Sequence, residues 1–388
     1  MRFSLVPAVG ALLFGATLIT GAPPNDAAEI LQDLQRQAEA KLRETNKPTP
    51  STRPGDGDQT CTLANAAVRK DWEHMSSNQK KDYIKAVKCL WKLPSVDPDF
   101  SAAQNHFDDF VAVHMNQTNF IHGTANFLTW HRYMMWLWEQ KLRNQCGYTG
   151  YLPYWNWFKH QDDLYKSPVF DGSDTSLGGD GEYFAHNGSL VSAGRIWLPS
   201  GKGGGCVKSG PFVGYTINIG PVQPAMQGYT PVVTDVKHLN PRCQRRDLTM
   251  AASTSTFTAE NLLNVTLGPA SATIGHFQDE LQGTYGTLRL HGAGHHAMGG
   301  DGGDVFTSPN DPAFYLHHAM VDRLFWIWQI LHPAEANKVN GTITFRNTPP
   351  SREGTVDDML DMRGLGPAIP IKDVFNTLGG TPLCYIYV

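Results

Sequence analysis

Basic residues are not in excess in this chain: 32 lysines and arginines stand against 36 aspartates and glutamates in 388 residues, a formal net charge of −4. No field of the kind that attracts nucleic acid or an anionic membrane follows from that balance. A bilayer-spanning run of ~20 apolar residues is also missing, because the N-terminal run from Leu5 to Ile19 is short and broken by Pro7, Gly10 and Gly15. The six cysteines include no CxxC pair, and no repeat of fixed period is visible. No carboxylate or thiolate recurs at similar spacing in the two histidine-bearing segments, which leans away from calcium, magnesium and iron–sulfur chemistry. What remains is an ordinary globular composition, 41% hydrophobic, with enough length for a sizeable core.

What is present is histidine, in two segments far apart in sequence. His114, His122 and His131 lie on VHMNQTNFIHGTANFLTWHRYMMWLWE; His291, His295 and His317 lie on LHGAGHHAM and SPNDPAFYLHHAMVDRLFW. Neutral imidazole suits copper, zinc, iron and nickel, so three imidazoles plus three point to a paired metal site. His291 and His295, four apart, share one helix face; an isolated HxxxH is more often two surface histidines. Nine residues separate His122 from His131, placing them on opposite sides of a continuous helix, so His122 is expected on a loop, which Gly123 and Thr124 favour. A zinc hydrolase would need Glu inside the motif, as in HExxH, and none is there.

The first residues, MRFSLVPAVGALLFGATLITGAPP, read as a secretory signal peptide over 1–22. Residues 23–60 read as a propeptide or flexible arm outside the core, polar and helix-prone before the proline-bearing KPTPSTRPGDGDQT, and 61–388 as one domain. Export to an oxidising compartment turns the cysteines into three expected disulfides. Of the 15 connectivities possible, the pairing put forward is Cys206–Cys243, Cys89–Cys146 and Cys61–Cys384. Sequons at Asn116, Asn187, Asn264 and Asn340 fit the same compartment.

Apolar residues at helical spacing predict one or two helices over Leu63 to Trp91, interrupted near Ser76, a helix from Asn126 to Arg143, and one from Asp311-Pro312 to His332-Pro333. Between Gly172 and Pro241 glycine, proline and serine predict a long loop region. Trp130, Tyr133, Trp136 and Trp138, with Phe325, Trp326 and Trp328, read as core. The expected fold class is mainly α, with a four-helix bundle, long loops and few short strands.

HMNQTNFIHGTANFLTWHRYMMWLWE resembles the first copper motif of the tyrosinase and catechol oxidase family, and DPAFYLHHAMVDRLFWIW is similar to its second, DPxFxxHHxxxDR, at every fixed position. The likeness covers roughly Leu63 to Val388. It implies two copper ions, the first held by His114, His122 and His131 and the second by His291, His295 and His317, with His318 the adjacent non-ligand and Asp322 and Arg323 behind the ligands. Tyr385 and Tyr387 resemble the motif that closes the family's core, and the expectation is a short form with no C-terminal shielding domain.

Three positions depart from the family. Phe120 stands where a cysteine often forms a thioether with the second histidine. Leu281-Gln282 matches the LE pair whose Glu holds a water proposed to deprotonate monophenols, with Glu280 as the other candidate for that place. Gly292 stands where Asn often helps orient the same water. The resemblance therefore implies a secreted oxidase taking small phenols and O2, converting o-diphenols to o-quinones while reducing O2 to water, with monophenol hydroxylation weak or absent. Val305 or Phe306 is expected beside the entrance. The alternatives are a tyrosinase with full monophenolase activity, an o-aminophenol oxidase, and a haemocyanin-like O2 carrier.

Overall fold

The computed structural model describes residues 26–45, 61–233, 235, 237–284 and 286–388; the signal-peptide reading and residues 46–60 of the arm fall outside these. Among the described residues there are nine α-helices: α1 (Ala27–Thr45), α2 (Ser77–Leu90), α3 (His106–Ile121), α4 (Phe127–Cys146), α5 (Met250–Thr256), α6 (Ala259–Thr266), α7 (Ile274–Gln282), α8 (Leu290–Met298) and α9 (Ala313–Leu331). The strands are two to four residues long and pair only in twos. The class is mainly helical, as expected.

Local chemistry explains the boundaries. Ser76 opens α2 with a reciprocal capping box to Gln79, so the interruption near Ser76 is where that helix starts. Gly147, left-handed at φ 68°, closes α4 and donates to the Leu142 carbonyl. Asp311 accepts from the Ala313 N–H at 2.9 Å where α9 begins. From Gly181 to Cys243 the glycine-rich region forms six short strands, and all three disulfides pair as put forward: Cys61–Cys384, Cys89–Cys146 and Cys206–Cys243.

The reading of 23–60 as an arm outside the core does not hold for α1. Ile30, Leu31, Leu34 and Ala38 are buried in the main core, and Gln35 is held from both sides, donating to the Tyr387 carbonyl at 2.7 Å and accepting from Arg323 at 3.0 Å. The segment's polar residues occupy the other face, which hides an amphipathic helix behind a hydrophilic average.

Packing of α3, α4 and α9 builds the interior. Trp138 of α4 stacks on Tyr315 of α9 at 3.4 Å between centroids, and Phe110 of α3 meets Trp138 edge-on at 5.0 Å. The aromatic residues read as core are buried there, except Trp136 and its partly exposed ring. Helix α8 packs on α9 at Gly294, where a Cβ would lie 2.1 Å from Cε1 of His317, so only glycine permits this approach.

Asp108 fastens the start of α3. Its carboxylate accepts from the Gln104 N–H and from the amides of Asn105 and Asn218 at 2.8–2.9 Å, yet burial pushes its pKa up to about 6. A folded value above the unfolded one gives a contribution present below about pH 4 and lost as pH rises through about 6. Asp108→Asn is therefore expected to gain stability relative to the parent between pH 4.5 and 7, by up to about 3 kcal/mol at roughly 1.4 kcal/mol per unit. Paired urea melts check this; a stability difference that does not grow with pH would contradict it.

Candidate metal centre

Helix α3 ends one residue before His122, whose backbone is extended (φ −122°, ψ 138°), and Gly123 at φ +55° turns the chain toward α4. His122 thus lies off the helix, as its spacing from His131 requires. His114 comes from within α3 and His131 from the first turns of α4, and the three form one buried group. Each ring is held through Nδ1 by a backbone carbonyl: His114 by Phe306 at 2.8 Å, His122 by Thr118 at 3.0 Å and His131 by Phe127 at 2.8 Å. That contact places the proton on Nδ1 and leaves the Nε2 lone pair free, the arrangement a metal-binding imidazole needs. Nε2 of His114 and of His131 are buried with no hydrogen-bond partner.

The second group contains His291 and His295 of α8 and both His317 and His318 of α9. His295 is anchored like the others, Nδ1 to the Gly302 carbonyl at 3.0 Å. Its Nε2 lies 3.1 Å from Nε2 of His291 and 3.3 Å from Nε2 of His318. The sequence assignment took His317 as ligand and left His318 out; the geometry points the other way. The ring of His318 stacks on His131 at 4.4 Å and so faces the first group, whereas His317 lies parallel to His291 at 5.6 Å and leans on Trp157 at 5.1 Å. Asp322 also departs from its assigned place behind the ligands, since its carboxylate binds Arg69, Arg132, Tyr385 and Tyr387.

The electrostatics fit a soft or borderline cation. Burial pushes His122 down to about 4 and His295 to about 3, and holds His114, His131, His291, His317 and His318 below the usual imidazole range. Neutral rings need lose no net charge when a metal arrives, and Nε2 atoms 3.1–3.3 Å apart are spaced as ligands of one ion.

A cleft of about 160 Å³ opens over the two groups, with His122, His291 and His295 in its wall. Since a cavity of about 150 Å³ accommodates benzene, the space suits one aromatic ring. Gln282 and Gly292 line it, as does Val305, which is 40% exposed at its edge. Gln282 Oε1 accepts from the Gly123 N–H at 3.0 Å. Glu280 does not line the cleft and instead meets Arg289 at 3.4 Å. A Cβ at Gly292 would meet only Leu288 Cδ1, at 3.4 Å, so a side chain there has room. Phe306 serves through its carbonyl, and Phe120 is exposed. Sequence reasoning missed Ser192, Thr287, His296, Phe345 and Arg346, which also line the cleft. They come from loops and from beside a ligand, with no spacing to mark them.

Comparison with known proteins agrees with this geometry. Residues 104–331 match the model of the common central domain of tyrosinase. The chain is 39% identical to N-acetyl-6-hydroxytryptophan oxidase ivoB of Emericella nidulans over 350 residues, 85% of this chain and 94% of that protein. It is 37% identical to tyrosinase P of Aspergillus terreus over 332 residues, 82% and 91% of the two chains. A solved polyphenol oxidase from Thermothelomyces thermophila, a glycine-to-asparagine variant, superposes with a TM-score of 0.82 at 33% identity, covering 95% of this chain and 99% of that one.

Proposed function

Because the chain belongs to the tyrosinase family of type-3 copper oxidoreductases, with two copper ions as cofactor, we propose that it oxidises o-diphenols to o-quinones and hydroxylates monophenols weakly or not at all. The observation that carries the first half is the pair of facing histidine groups under a cleft that takes one aromatic ring. His114, His122 and His131 would hold one ion and His291, His295 and His318 the other, with His317 packing against α8. When bound, the coppers supply the electron transfer between diphenol and dioxygen, two diphenols and one O2 giving two quinones and two waters. The chain's own part is to fix neutral imidazoles by their Nδ1 contacts, keep bulk water from the buried nitrogens and shape the approach of the ring.

The second half rests on the wall. No Asp or Glu is among the described residues lining the cleft, and the neutral amide of Gln282 accepts no phenolic proton. The relative that acts on N-acetyl-6-hydroxytryptophan has a hydroxylated aromatic substrate, which supports the phenolic class. Quinone formation from 4-methylcatechol under oxygen-electrode recording tests the activity directly. Gln282→Glu keeps an oxygen for the Gly123 N–H and adds a base, so hydroxylation of tyramine is expected to rise by ~10²-fold while dopamine oxidation changes little. A parent that hydroxylates tyramine as fast as it oxidises dopamine would overturn the proposal about Gln282.

We place the protein outside the cell on the combination of Arg2, the apolar run from Leu5 to Ile19 and cysteines paired in three disulfides. Its recovery from culture medium with a processed N-terminus is the expected result.

A further inference from the structure

The histidines anchored through Nδ1 divide by where the anchoring carbonyl comes from. His122 and His131 each use the carbonyl four residues earlier, Thr118 and Phe127, which the local helical turn supplies without outside help. His114 and His295 belong to different groups, yet both lean on one short loop. Phe306 supplies the carbonyl for His114 at 2.8 Å and Gly302 the carbonyl for His295 at 3.0 Å. Residues 302–306 therefore stand between the two groups, and the placement of these two carbonyls sets one ring against the other.

Asp304 is the middle residue of that loop and is fully buried. Its N–H donates to the Asp301 carbonyl at 3.1 Å. Oδ1 accepts from the N–H groups of Phe306 and Thr307 at 2.9 and 3.0 Å, and Oδ2 accepts from those of Val222 and Gln223, both at 2.7 Å. An ionised carboxylate has about four acceptor sites, and backbone donors occupy them all. One oxygen shapes the turn that aims the Phe306 carbonyl. The other fastens that turn to a loop distant in sequence, where Pro224 also bridges to Asp304.

We propose that Asp304 is a positioning residue for both halves of the metal centre, fixing the carbonyls of Phe306 and Gly302 and, through them, the rings of His114 and His295. This deepens the functional reading above and rests on it in taking these two histidines as ligands of separate ions. Asparagine at this position keeps the shape, but its single oxygen serves only one pair of donors. The other pair then faces an NH2 group, and the loop loses either its turn or its tie.

The test reads metal, not turnover. Copper-loaded parent and Asp304→Asn are reduced with ascorbate under nitrogen and mixed with excess cuprous chelator, and the release of each ion is followed. The variant is expected to release both ions at least about tenfold faster, since changes to the partners behind a metal ligand typically cost 10–100-fold in affinity. Each half is then read alone in His114→Ala and in His295→Ala, which keep one ion apiece; adding Asp304→Asn should speed release of the remaining ion in both. Acceleration in one background only would overturn the claim for both halves. Melting of the metal-free proteins runs alongside: a lower midpoint with parental release rates would make Asp304 a brace of the fold and overturn the proposal. Should Asp304→Asn not fold, Asp304→Glu, which keeps both oxygens but displaces them by one methylene, carries the same expectation of faster release from both groups. A parent that takes up no copper would sink the reading of the histidine groups, whereas copper held equally well by parent and variant would sink the role of Asp304 alone.

Discussion

His318→Ala is expected to lower copper from two ions per chain toward one and to abolish catechol oxidation, while His317→Ala keeps both ions. The expectation follows from direction. Nε2 of His318 sits 3.3 Å from Nε2 of His295, and its ring stacks on His131 across the centre. His317 fills the notch above Gly294 and packs on Trp157. Replacing His317 leaves a cavity, so that variant should lose stability, by about 2–4 kcal/mol on the scale of large-to-small core substitutions, but not its second metal. Atomic absorption on the purified variants, with thermal melting alongside, separates the two effects. Loss of one copper in His317→Ala with full loading in His318→Ala would restore the assignment made from sequence.

The His317–His318 ambiguity shows where sequence reading stops. Adjacent residues on a helix point about 100° apart, and both of these are fully buried in α9, so neither hydrophobicity nor spacing says which faces the partner group. That the pair belonged to the site was legible from the likeness to DPxFxxHHxxxDR, and Asp311-Pro312 marks where the buried helix begins. His122 was legible through an impossibility, the nine-residue gap that no continuous helix could close, and Gly123 supplied the turn. Helix α1 was misread since its burying residues are few and a proline-rich stretch follows it. Arg346 left no trace at all: it reaches the cleft through loop geometry, and a single arginine in FRNTPP resembles any surface cation. Periodic elements announce their faces; loop residues acquire a place only when the fold folds them there.

Asp322→Ala is expected to cost more stability than any change in the cleft. Asp322 follows His318 by one helical turn on α9 and is the hub of a buried polar knot. Its carboxylate accepts from Arg132 at 2.5 Å, from Arg69 at 3.3 Å and from the hydroxyls of Tyr385 and Tyr387 at 2.6 Å each. Burial works against its charge, but Arg132 and Arg69 together hold its pKa below the usual carboxylate value. The knot ties the parallel strand pair Ala67–Arg69 and Tyr385–Tyr387 to α4 and α9. Removing the carboxylate leaves Arg132, which has no other acidic partner among its described contacts, as a buried charge held by Gln329 and the Val374 and Phe375 carbonyls; Arg69 keeps Glu139 at 3.0 Å. Breaking one side of such a buried pair typically costs about 3–5 kcal/mol. The chain should therefore melt roughly 5 °C lower or fail to accumulate. Asp322→Asn, which keeps shape and some acceptor capacity but not charge, should fall between parent and Ala. Melting curves on all three decide it, read with copper content: if Asp322→Ala folds with parental stability yet loses its second copper, the residue acts on the metal ligands as the sequence implied, and the knot is not what holds the two ends of the domain together.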